Sequence, residues 1–77
     1  MSIILQDDVL RYDTNEQQLI HLVNFLTAKY YQEIIDDRLL RAVQQELDSY
    51  CSYRADTPKL KVTRNVQHGV LTIAFAD

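Results

Sequence analysis

Two histidines, one cysteine and eleven carboxylates are the residues of this 77-residue chain with chemistry beyond packing. His21, His68 and Cys51 are its soft or borderline metal ligands, and none stands at a recognised ligand spacing, so no zinc site is expected. His21 reads as a surface residue, His68 as a turn residue and Cys51 as a thiol on an apolar helix face. The carboxylates Asp7, Asp8, Asp13, Glu16, Glu33, Asp36, Asp37, Glu46 and Asp48 have no calcium-loop spacing. Solvation and helix capping account for them, since Asp readily accepts from free N–H groups at helix starts. One glycine leaves no phosphate-cradling loop, and no Ser-His-Asp order is present. The expectation is a non-enzymatic protein with no cofactor and no metal.

Two other sets of residues point to binding. Arg54, Lys59, Lys61 and Arg64 give a basic segment after a body with nine acids against four bases, within a net charge of −3. A basic hairpin is one way to contact nucleic-acid phosphates, although the net acidity opposes unaided binding. The same residues read as guards on a strand edge, a device against aggregation. The acidic body suggests a third role, an inhibitor that mimics nucleic acid and binds a basic partner in a salt-sensitive way. The second set, Ile20, Tyr31 and Ile35, lies on the side of a first helix opposite its main apolar stripe. That strip is either a protein interface or a face covered from within by sheet or helix.

The elements that position these residues follow from periodicity. Leu19, Leu22, Val23, Leu26, Tyr30 and Ile34 recur at the spacing of one buried helix face. Asp13 and Thr14 are candidate caps, with Asp13-x-x-Glu16 and Thr14-x-x-Gln17 at capping-box spacing. A second stripe, Leu39, Leu40, Val43, Leu47, Tyr50 and Cys51, is displaced from the first by about a quarter turn. The break falls at Asp36-Asp37, two side chains suited to cap and charge a new N-terminus. Two helices over 15–35 and 37–53 are expected, with a single long helix as the alternative because neither Gly nor Pro enforces a break.

Ser2–Gln6 reads as a short strand, and Val9–Tyr12 as a bulged continuation or an extended entry to the helix. Pro58 marks a loop. Residues 59–76 alternate as a β-hairpin around His68-Gly69, pairing Val66 with Leu71 and Val62 with Phe75. That register sets Arg64 opposite Ile73, so either Arg64 snorkels or the loop is longer and the register shifts.

The fold expected over 1–77 is a single small α+β domain of order β-α-α-β-β. A small antiparallel sheet, the N-terminal strand plus the C-terminal hairpin, packs on two helices. At this length one core is marginal and oligomerisation is a common remedy. A single cysteine, no apolar run of membrane length and no leader pattern suggest a soluble cytoplasmic protein without membrane contact. The function expected is protein–protein contact, with a protein partner or as a homo-oligomer: a subunit, adaptor or inhibitor in a larger assembly. Its size and scarcity of glycine would suit a bacterial or phage accessory protein. Nucleic acid is the alternative partner.

Overall fold

The computed structural model describes residues 2–13, 17–54 and 57–76. In chain order the elements are β1 (Ile3–Leu5), α1 (Asp7–Asp13), α2 (Gln18–Lys29), α3 (Asp37–Ser52), β2 (Leu60–Asn65) and β3 (Val70–Phe75). The α+β arrangement expected from the sequence is present, with the N-terminal strand and the C-terminal hairpin forming one sheet against helices. In detail the sheet is mixed. Its strand order is β1-β3-β2, so β3 is central, antiparallel to β2 and parallel to β1. A three-residue Ile-Ile-Leu strand has faces that alternation reveals but nothing that marks its direction.

Side chains of Leu60, Leu71 and Ile73 join Val9, Leu19, Val23, Leu26, Leu39, Val43 and Leu47 in the buried core, with Ile3, Leu5, Val62 and Phe75 packed against it. The opposite face of the sheet presents Ile4, Lys61 and Thr63, all exposed. Helices therefore cover one side of the sheet, and the Cα radius of gyration of 11.7 Å matches the ~11.5 Å of a compact chain this long.

The sequence reading needs further correction in the helices and the hairpin. Val9–Tyr12 belongs to α1, not to an extended segment. Val9 and Asp13 point inward one turn apart, and Tyr12 meets the Phe75 ring edge-on with centroids 5.6 Å apart. Two turns are too few for a 3.6-residue period to stand out, and such a helix is held by packing rather than propensity. Next, α2 ends at Lys29, with Tyr30 as its C-cap. Ile34, expected on the buried stripe, is consequently 79% exposed, and Ile35 is the residue that packs on the core. Tyr53 lies past the last turn of α3 and is exposed as well.

The hairpin register differs too. Arg64 pairs with Leu71, Asn65 with Val70 and Val62 with Ile73, leaving a four-residue loop from Val66 to Gly69. The shift is two residues, which preserves every face, so the apolar side of the hairpin is the one alternation identified. Asn65 closes the loop: its carbonyl accepts from Gly69 N at 2.8 Å and its side-chain oxygen from His68 N at 3.2 Å. Gly69 holds φ +64°, a conformation that costs a residue with a Cβ about 1 kcal/mol or more.

The break between the helices sits where the displaced stripes place it. Asp36 is the N-cap of α3, its carboxylate accepting from Leu39 N at 2.9 Å, and Asp37 occupies the first turn. Asp13 caps as expected but from further away, across six and seven residues. Its two oxygens accept from Leu19 N and Ile20 N, each at 3.0 Å, although the side chain is only 4% exposed. Gln17, in left-handed conformation at φ 57°, turns the chain into α2. The other capping-box positions, Thr14 and Glu16, lie outside the described residues.

Candidate protein-docking edge

The sheet has two edges, and the backbone of each can be followed bond by bond. Ser2 O accepts from Leu71 N at 2.9 Å, and Gln6 N donates to Ile73 O at 2.9 Å. In a parallel ladder with Ile4 beside Thr72, Ser2, Ile4 and Gln6 therefore turn their polar groups toward β3. Ile3 and Leu5, between them, turn theirs away from the sheet. Their side chains point into the core, whereas that of Ile4 points to the helix-free face and is 49% exposed.

Alongside this edge runs an open groove of about 210 Å³. β1 forms one wall with Ile3, Ile4 and Leu5, Leu10 of α1 closes an end, and Ile20 and Val23 of α2 form the far wall. Among the described residues of the lining, Asn24 is the polar member and none is charged. The far wall is held by Asp13, because its carboxylate anchors the first turn of α2 and so fixes Ile20. Leu10 is 43% exposed here.

The other edge is capped over Leu60–Val62. Gln44, on the side of α3 facing β2, donates its amide N–H to Leu60 O at 3.0 Å and accepts from Val62 N at 2.9 Å. Its side-chain amide thus copies one peptide unit of a neighbouring strand. A second N–H of the same amide reaches Asp48 Oδ1 at 3.0 Å, which fixes the orientation of the group. Nothing in the sequence singles out Gln44, since its role depends on the register between a helix and a strand sixteen residues away.

Of the three expected interface residues, Ile20 lines the groove. Tyr31 stands in the turn after α2 at 67% exposure, and Ile35 is half-buried against the core. They do not form one strip, because the helix that would have aligned them ends before Tyr31. Leu10 was missed because α1 was not read as a helix, and Ile4 because a strand residue facing solvent looks the same from sequence as one facing a neighbour.

The four basic residues also separate. The Arg54 guanidinium lies 5.9 Å from the centre of the Tyr50 ring. Arg54 and Lys59 line one hollow, beside the carboxylate of Asp48. Lys61 and Arg64 alternate on β2 and so emerge on opposite faces of the sheet, both exposed. His21 and His68 are exposed, and Cys51 is half-buried with its Sγ 3.7 Å from Pro58 O. Among the described residues, no three His, Cys, Asp or Glu are grouped to hold a metal ion, and no helix is long and apolar enough to cross a membrane.

The ammonium of Lys29 sits at the surface beside the carboxylate of Glu46. Its pKa is raised above the usual 10.5 by the hydrogen bond to Glu46 first and by the Glu46 charge second. The pair, 3.3 Å apart, ties the end of α2 to the middle of α3 at the surface.

No protein-family model, curated protein or solved structure matches this chain.

Proposed function

We propose that this chain is a small non-enzymatic protein that works by protein–protein contact, as a subunit, adaptor or inhibitor within an assembly. The observation that carries the reading is the β1 edge: outward backbone groups at Ile3 and Leu5 beside an uncharged apolar groove. Strand addition uses this combination, main-chain hydrogen bonds for affinity and flanking pockets for side-chain selection. The scattering of the basic residues over both sheet faces, with Asp48 beside Arg54 and Lys59, lends little support to a nucleic-acid groove.

Ile20→Asp tests the reading, because a carboxylate in the far wall of the groove makes it hostile to an apolar strand. Capture of a partner is expected to weaken by roughly tenfold or more, or an oligomer to fall to single-copy mass, while the far-UV circular dichroism stays that of the parent. Tyr31→Asp, away from the groove, is expected to change neither. Retention of binding by the Ile20 variant would remove the groove as the contact.

A further inference from the structure

The edge of β1 has a symmetry that selects its occupant. Outward N–H and C=O groups belong to Ile3 and Leu5, one residue on either side of Ile4. Two such strands brought together antiparallel about a two-fold axis through Ile4 set Ile3 of each copy against Leu5 of the other. Each of those positions is then a pair that exchanges both hydrogen bonds, and all four outward groups of each copy are satisfied without a residue left over. Ile4 meets Ile4 of the second copy at the intervening position, where facing side chains come closest. We propose that the partner of this edge is a second copy of the chain, joined β1 to β1 into a continuous six-stranded sheet; this deepens the docking reading above and rests on it.

Charge and surface chemistry agree with that occupant. A two-fold contact sets a residue on its axis against its own image, so a charged side chain there would face its like. β1 has none, and neither do the described residues of the groove beside it. Leu10 and Ile20, the exposed and half-buried apolar walls, likewise bring no charge that the second copy would repeat. The edge at β2 cannot serve in the same way, since Gln44 already occupies Leu60 O and Val62 N. Three residues of strand are a short contact, at the lower end of interface sizes, so the dimer is concentration-dependent. Each copy carries a net charge of −3, so added salt screens the repulsion and strengthens association.

The test is cross-linking of full-length chains on a Cys51→Ser background under mild oxidation. Facing positions in such a pair have Cα atoms about 4.5 Å apart, within the ~4.4–6.8 Å that a disulfide spans. Ile4→Cys is therefore expected to form a covalent dimer. Ser2→Cys and Gln6→Cys are each expected to stay uncrosslinked alone and to join when mixed, because in this register Ser2 faces Gln6 of the second copy. In parallel, light scattering is expected to show the unmodified protein rising with concentration toward twice its 9.0 kDa mass. Ile4→Lys is expected to return it to one copy with an unchanged circular dichroism spectrum. A single-copy mass up to roughly half-millimolar concentration, or self-cross-linking of Ser2→Cys, overturns the dimer. If such a monomer still captures a different protein and loses it on Ile20→Asp, the docking reading stands and only its occupant was wrong. If the Ile20 variant captures it equally well, both fall.

Discussion

One sheet carries two edges that the chain treats oppositely. At β2 a helix side chain stands in for a missing strand: Gln44 occupies an outward carbonyl and an outward amide, and exposed Lys61 and Arg64 flank them. At β1 the sequence is Ile-Ile-Leu, with no charge, no side-chain cap among the described residues and an apolar groove alongside. Open edges are a liability that folded chains blunt with charge, proline or cover. A chain able to blunt one edge and leaving the other bare makes the bare edge the place to look for a partner.

The largest effect is expected where the wall of the open edge is fixed. Asp13 is buried and its two oxygens hold two free N–H groups in the first turn of α2, so Asp13→Ala leaves one buried and one part-buried donor without an acceptor. A loss of about 2–3 kcal/mol is expected, read as a fall in Tm of roughly 10–20 °C for a domain of this size. Asp13→Asn keeps one acceptor and is expected to lose about half as much. Amides of α2 are expected to lose exchange protection before those of α3, because the damage lies on the β1 side. Equal loosening of both helices would show that the two sides of the sheet do not behave as separate regions.

Gln44→Ala sharpens the comparison from the other side. It exposes Leu60 O and Val62 N–H to water, with an expected cost of about 1–2 kcal/mol for two lost hydrogen bonds. The telling readout is local: hydrogen exchange at Val62 is expected to accelerate while protection along β3 falls only with global stability. With its second edge opened, the protein is also expected to associate beyond the dimer. An unchanged Val62 amide would mean that Gln44 does not close that edge.

These two residues also mark how far the sequence could be read. Asp13 and Asp36 were legible as caps because a carboxylate before an apolar-periodic run has few other uses, and the displaced stripes located the break between α2 and α3 correctly. Ile20 was legible as an apolar residue off the main stripe for the same periodic reason. What was not legible depends on distant parts of the chain. The direction of β1 is set by which side of the hairpin it reaches, and α1 is set by Val9 entering the core and Tyr12 meeting Phe75 rather than by any period of its own. Tyr31 and Ile35 were aligned with Ile20 on a helix extended six residues too far, since adjacent tyrosines do not announce a C-cap as glycine does. Gln44 could not be found at all: a polar residue on a helix looks solvated until a strand edge is placed beside it.

The smallest effect is expected at the surface pair that joins the two sides. Lys29 closes α2, which walls the open edge, and Glu46 lies on α3, which closes the other; their ends are 3.3 Å apart. The ammonium also stands 5.4 Å from the centre of the Tyr30 ring and 5.9 Å from that of Phe25. Lys29→Met keeps an apolar stem on those rings and removes the charge, so the stability lost is expected to be slight, as for exposed ion pairs generally. Its pH dependence identifies it. The folded protein holds this proton more tightly than the unfolded chain, so the stabilisation is fully present below pH 10.5, the ordinary lysine value, and is lost as pH rises through the raised folded-state pKa. Parent and variant stability curves should therefore run parallel through neutral pH and converge only above 10.5. Because neither residue lines the β1 groove, β1-to-β1 cross-linking through Ile4→Cys is expected to proceed unchanged in this variant. A fall in cross-linking would mean that the pose of α2 against α3, and not the edge of β1 alone, governs association.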